Sequence, residues 1–423
     1  MRGTLEVADV FRDGKSAFLA RYGATLSHEQ RQVLRAVIQC RTAALGGHRQ
    51  QCNDCGHETI QYNSCRNRHC PKCQAMARAV WLEQRESELL PIPYFHVVFT
   101  LPQQLASLAL QNKRVMYDIL FRAAAQTLLE LAADPKHLGA KIGCLMVLHS
   151  WGQTLMHHPH VHCLVTGGGI SSDGSRWVRC KRSRHSKRLF FVHVKILSRV
   201  FRGKFIDLLK QAFSSGELRF HGKLASLAEP TAFEQRLDAS VKKDWVVYAK
   251  RPFASPSCVL KYLARYTHRV AMSQRRLLDL QDGRVRFQYK DYADDQQTKE
   301  MTLDSSEFIR RFLMHSLPSG FVRIRYYGLL ANRYRQEQLD RCRRLLGVRP
   351  EPLQRADATA LPQQGPDPSS PQNQCPVCKR GNLVTIETMR AGCRVQPRRP
   401  SFLVPRSPHA ASTAILSRAP PWS

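Results

Sequence analysis

A chain of 423 residues with 43% hydrophobic content has room for two or three domains and a sizeable core. Lys and Arg total 65 against 33 Asp and Glu, a formal charge of +32 that seeks a polyanion, and nucleic acid is the commonest one inside a cell. No apolar run approaches the roughly 20 residues of a spanning helix, and the first 25 residues lack an apolar signal core, so the expectation is a soluble cytoplasmic protein, nucleoid-associated when bound to DNA, with no membrane partner.

In chain order, residues 1–47 read as helical, with a Ser27/Gln30 capping box and Gly46–Gly47 as the stop. Residues 48–78 are rich in Cys, His and Arg. YFHVVFTL at 94–101 reads as a buried strand closed by Pro102, and 104–133 as a long helix. KIGCLMVLHSW at 141–151 and HVHCLVT at 160–166 read as two more strands, followed by a basic hairpin or loop at 172–188. Helical patterns follow at 193–213, 230–243 and 257–268. A hairpin at 284–290 and 299–303 precedes a helix at 306–316 with an Asp304/Glu307 box. Pro, Gln and Ser then dominate 350–374, a linker composition, and 394–423 carries no periodicity and reads as disordered. The domains expected are 1–90 (helices and cysteine module), 91–347 (catalytic) and 348–423 (linker, partial cysteine knuckle and tail).

Fourteen cysteines in a chain without an export signal favour metal over disulfides. Cys52-x2-Cys55 and Cys70-x2-Cys73 are two knuckles 14 residues apart, a spacing that suits one tetrahedral, structural zinc. Cys65, His57 and His69 are alternative ligands. Between the knuckles, Arg66, Arg68 and Lys72 offer a phosphate-contacting face. Cys375-x2-Cys378 is a half-site without an evident partner pair.

In HHPHVHCLV at 157–165, strand alternation points His160 and His162 to one face with Val161 behind them. Two such imidazoles can hold a divalent cation over a scissile phosphate, and Gln153, at the end of the adjacent strand, is the expected third ligand. In KYLARYTHR, Tyr262 and Tyr266 are four apart and share a helix face. A tyrosine can attack a phosphodiester and keep the bond energy in a phosphotyrosine, and cations such as Arg265 would help the phenol ionise. Arg323, Arg325, Arg333 and Arg335 form a further candidate DNA-contacting stretch.

Four stretches, YNSCRNRHCPKCQ (62–74), HSWGQTLMHHPHVHCLVTGGG (149–169), YLARYTHRVA (262–271) and RYYGLLANR (325–333), resemble transposases of the IS91 family. The resemblance runs from about residue 10 to about 347. It implies an α+β fold with a ferredoxin-like HUH nuclease core, an antiparallel sheet flanked by helices. The HUH motif falls on His160–His162 and the paired nucleophiles on Tyr262 and Tyr266. It further implies magnesium or manganese for catalysis, zinc for structure, and rolling-circle transposition of an insertion sequence through a 5′-phosphotyrosine. The partners it implies are single-stranded or hairpin transposon ends and target DNA, with homo-oligomerisation left open. Alternatives are an HUH replication initiator or relaxase, a non-catalytic zinc-dependent DNA-binding protein, and a histidine-triad nucleotide hydrolase or transferase using His158, His160 and His162.

Overall fold

The computed structural model describes residues 5–74, 88–181, 192–250, 258–259, 270–292, 294–348 and 373–392. The chain starts with helices α1 (Val7–Tyr22) and α2 (His28–Gln39), then strands β1 (Gly47–Cys52), β2 (Glu58–Tyr62) and β3 (Tyr94–Thr100). Helices α3 (Ala106–Gln111) and α4 (Lys113–Ala133) lead to β4 (Ala140–Lys141), β5 (Gly143–Trp151), β6 (His157–Thr166), β7 (Gly168–Ser171) and β8 (Trp177–Arg179). Then come α5 (Val194–Ser214), α6 (Pro230–Val241), β9 (Val247–Lys250), β10 (Leu277–Gln281), β11 (Arg284–Asp291), β12 (Gln297–Asp304), α7 (Ser305–Leu313), β13 (Ile324–Gly328), α8 (Arg335–Leu345) and β14 (Leu383–Met389).

The central sheet has the order β13-β5-β6-β3-β9, and every neighbouring pair is antiparallel. Helices separate β3 from β5 and β6 from β9, while β5 and β6 follow directly. That is a β-α-β-β-α-β path with a fifth strand on one edge, the ferredoxin-like arrangement expected. Alternation assigns the two faces. Phe95, Val97, Phe99, Cys144, Met146, Leu148, Val161, Cys163 and Val165 point one way and bury α4 and α5 through residues such as Leu120, Phe121, Phe201 and Phe205. Phe99 and Phe201 meet at 4.8 Å between ring centres.

On the opposite face, Tyr94, Leu145 and Leu164 pack against α8 at one end of the strands. At the other end this face carries His96, His149, His160 and His162. Pro159 lies inside β6, where a ladder donor is missing. The pairing there shifts register between His149 and Trp151, a bulge that absorbs the proline.

A second core joins α1, α2, α7, β10 and β11, with Phe11 edge-on to Phe312 at 5.2 Å. It draws on residues from both sides of position 90. The Ser27/Gln30 capping box is present. The Asp304/Glu307 box is not: Asp304 is the N-cap without a side-chain bond, and Glu307 instead binds Arg310 and Arg311. Gly46–Gly47 does not end α2, which stops at Gln39; Gly46, at φ 69°, instead caps a single 3-10 turn, Ala43–Leu45. Gly47 opens β1, and a Cβ there would lie 2.5 Å from the Gln61 carbonyl oxygen. A separate sheet, β14-β1-β2, joins segment 383–389 to the N-terminal cysteine module. No helix of the described residues is long and apolar enough to cross a membrane.

Candidate functional site

The register of the central sheet builds a three-histidine cluster. His149 on β5 faces His160 on β6, and His162 lies two residues further along the same face. One ring nitrogen from each of His149, His160 and His162 lies within 4.8 Å of the others. Backbone and side-chain bonds orient the rings. His160 Nδ1 lies 2.7 Å from the His158 carbonyl oxygen and His162 Nδ1 lies 2.9 Å from His96 Nε2. A ring Nδ1–H that donates to the His158 carbonyl leaves the His160 Nε2 lone pair for a cation. His149 is buried and stacks on Trp151 at 4.6 Å.

Gln153, the third ligand expected from the sequence, is not part of this cluster. Gln153 lies beyond the bulge, where its side chain donates to the Tyr292 hydroxyl and its carbonyl accepts from Arg276. The side chain that joins His160 and His162 is His149, which direct cross-strand pairing brings opposite His160. Tyr262, Tyr266 and Arg265 lie outside the described residues. His157 belongs to a separate buried network: it bonds the Tyr117 hydroxyl and the Ala106 carbonyl, and burial pushes its pKa down to about 4.

The single four-cysteine set expected from Cys52, Cys55, Cys70 and Cys73 is also corrected. These four do not converge. Cys70 and Cys73 join Cys40 and Cys65, and Cys52 and Cys55 join Cys375 and Cys378. Cys65, an alternative ligand in the sequence reading, is thus in the first group, and Cys40, at the C-cap of α2, was missed. Sulfur–sulfur distances are 3.5 and 3.6 Å to Cys73 in the first group and 3.7 Å for both cross pairs in the second. A tetrahedron with Zn–S of about 2.3 Å has edges of about 3.8 Å, whereas a disulfide needs about 2.05 Å. Both groups fit zinc. A hydrogen bond from the Cys65 thiol pushes Cys70 down to about 5, against burial and with help from the Cys73 backbone. His69 is not a ligand here: its Nε2 accepts from the Leu317 backbone, and burial holds its pKa well below the usual histidine value.

Three of the arginines expected on DNA, Arg68, Arg323 and Arg325, bond to acceptors within the chain. Arg68 donates to the carbonyls of Pro318 and Phe321. Arg323 is half-buried, bonds Gln74 and has its pKa lowered to about 10 by desolvation. Arg325 pairs with Asp118 and covers the Phe121 ring at 4.3 Å, and Lys72 pairs with Glu6 at 2.5 Å. Each of these cations has an acceptor within the chain. Arg335 pairs with Glu88 at 3.3 Å. Arg66 and Arg333 are exposed. Arg66 lines an open concavity of about 860 Å³ with Arg41, His48 and Tyr62 beside β2.

Comparison with known proteins matches residues 10–101 to the "Transposase zinc-binding domain" family and residues 143–338 to the "Putative transposase" family. The chain is 52% identical over 388 residues to "Putative transposase y4qJ" of Sinorhizobium fredii, covering 90% of this chain and 95% of that protein. It is 32% identical over 301 residues to the transposase for insertion sequence element IS801 of Pseudomonas savastanoi pv. phaseolicola, covering 70% and 69%. A solved structure of the conjugative relaxase TrwC with oriT DNA aligns with 60% of this chain and 72% of that one. Its 13% identity and TM-score of 0.22 leave the fold argument to the strand order above. Long coverage at such identity, in the order cysteine module then histidine strands, shows that the chain belongs to the IS91 family of transposases.

Proposed function

We propose that this transposase nicks and rejoins single-stranded DNA through a 5′-phosphotyrosine, with His149, His160 and His162 holding a divalent cation. The observation that carries this reading is the three-imidazole cluster on the sheet face opposite α4 and α5. When bound, such a cation supplies positive charge to a non-bridging phosphate oxygen. An all-nitrogen donor set favours manganese over magnesium, which prefers oxygen ligands. His96 and the His158 carbonyl fix the rings, so the cluster is preorganised.

Tyr262 or Tyr266 supplies the nucleophile. Its oxygen forms a bond to phosphorus as the phenol loses its proton, the bond to the 3′ oxygen breaks, and that oxygen leaves as a 3′-hydroxyl. The second tyrosine accepts the next strand, so two covalent ends coexist during rolling-circle transposition. Transposon ends, single-stranded or folded as hairpins, and target DNA are the substrates of this scheme. Arg66 and Arg333 are the exposed cations best placed among the expected ones to meet phosphate.

The test is incubation of the purified protein with an end-labelled single-stranded oligonucleotide carrying a transposon end, with manganese or with chelator. A covalent protein–DNA adduct should form with manganese, vanish with chelator, and vanish in Tyr262→Phe/Tyr266→Phe. His149→Ala should lower its yield at least a hundredfold. An adduct that survives the double Phe substitution, or a His149→Ala variant of full activity, defeats the scheme.

A further inference from the structure

The cysteine group formed by Cys52, Cys55, Cys375 and Cys378 joins residues more than 300 positions apart. We infer that it binds a second structural zinc ion, separate from that of Cys40, Cys65, Cys70 and Cys73, which clasps the C-terminal segment 373–392 onto the N-terminal module. The inference is independent of the tyrosine chemistry proposed above.

The geometry is that of two facing knuckles. Each presents two thiols three residues apart, and backbone N–H groups point at the sulfurs: Asp54 and Cys55 toward Cys52, and Gly381 toward Cys378, at 3.4–3.5 Å. Such donors stabilise thiolate charge. The two knuckles also bond to each other directly. The Asn53 backbone donates to the Asn382 carbonyl at 3.1 Å, and the Asn382 backbone donates to Asn53 Oδ1 at 2.8 Å. Gly381 sits where a Cβ would lie 2.6 Å from Cys52 Sγ and 2.5 Å from Asp54 Cβ, so only glycine lets the knuckles approach.

From this clasp β14 runs antiparallel along β1, from Leu383 opposite Cys52 to Met389 opposite Gly47. The strand is mostly exposed and buries little apolar surface of its own. Its ladder covers an edge of β1 that would otherwise be open. A segment with so small a core needs a staple, and zinc supplies one. On binding, the four thiols release their protons to solvent and a tetrathiolate zinc forms, with no redox change.

Zinc content of the full-length protein, measured by mass spectrometry of the element, tests the inference. Two zinc ions per chain are expected. Cys375→Ser/Cys378→Ser and Cys52→Ser/Cys55→Ser should each retain one, and the fourfold variant should also retain one, because both pairs hold the same ion. A wild-type content of one ion, a Cys375→Ser/Cys378→Ser protein that keeps two, or an intact mass showing disulfides among these four overturns the inference. A cleavage site inserted between residues 349 and 372 tests it without touching any cysteine. After cutting, the C-terminal fragment should co-purify with the rest in zinc and separate in chelator. Retention after zinc is stripped overturns the clasp.

Discussion

Replacing Arg68 by Met separates a structural cation from a DNA-binding one. The Arg68 guanidinium donates to Pro318 at 2.7 Å and to Phe321, with a longer contact to Leu317 at 3.5 Å. These carbonyls lie in the turn that follows α7, where Lys113 also donates to Met314 and Ser316 at 2.8 and 2.9 Å. Burial lowers Lys113 to about 8 and also lowers Arg68, so both cations are partly desolvated. Methionine fills much of the same volume but leaves the Phe321 carbonyl without its donor, while the Pro318 carbonyl keeps the Phe321 backbone N–H at 3.1 Å. At ~1–3 kcal/mol for an unsatisfied buried acceptor, the loss should be about 2 kcal/mol. Urea unfolding reads it as a lower midpoint at unchanged slope. Binding to a single-stranded oligonucleotide across a salt series should keep its slope, because this guanidinium does not reach phosphate. Exposed Arg66 should behave oppositely under Arg66→Ala, with stability within about 0.5 kcal/mol and the slope reduced by about 1. Should Arg68→Met leave stability intact and flatten the salt slope instead, the inward placement of this arginine is wrong.

Burial holds His157 and His315 at about 4 and 3 in the fold, below the ordinary value near 6.5. Their contribution is therefore fully present above pH 6.5 and is lost as pH falls through about 4 and then 3, with a slope of up to about 2.7 kcal/mol per pH unit while both are neutral only in the fold. Denaturant titrations at stepped pH measure it, and a flat profile between pH 6 and 4 in a variant with both changed to Gln would assign the slope to them. Glu307 is held at about 2, first by its bond from Arg310 and then, against burial, by Arg311, so its contribution is present above pH 4.5 and is lost as pH falls through about 2. Glu307→Gln should remove that part of the acid sensitivity without altering stability differences between pH 6 and 8. Gly381→Ala should weaken one of the two zinc ions by about tenfold to a hundredfold, read by competition with a coloured chelator, since overpacking of this kind costs ~1–3 kcal/mol. His96→Phe deprives His162 Nδ1 of its partner and should lower manganese affinity about 10- to 100-fold, read from the metal dependence of adduct formation, with the melting profile little changed.

What the sequence made legible follows from which interactions are local. The strands around Phe95, Leu145 and Val161 could be read because their faces alternate or run continuously apolar, and β3, β5 and β6 fall close to where that pattern puts them. His160 and His162 share a face for the same reason. His149 was hidden because it joins them through register, and the bulge at Pro159 shifts that register near the strand end. The cysteines were misgrouped because adjacent knuckles look like partners. Parity carried the missing signal: Cys40, Cys65, Cys70 and Cys73 with Cys52, Cys55, Cys375 and Cys378 make two complete sets of four, whereas the first reading strands half of them.

Charge misled in a different way. Composition reports how many cations a chain has, not which of them face inward. Arg68, Lys113 and Arg323 are drawn in by backbone carbonyls and Gln74, acceptors that no side-chain pattern displays. An arginine next to a zinc knuckle is as well placed to hold a distant turn through its carbonyls as to bind phosphate. Only the path of the chain through residues 314–321 decides between the two, and here that path places its carbonyls on Arg68.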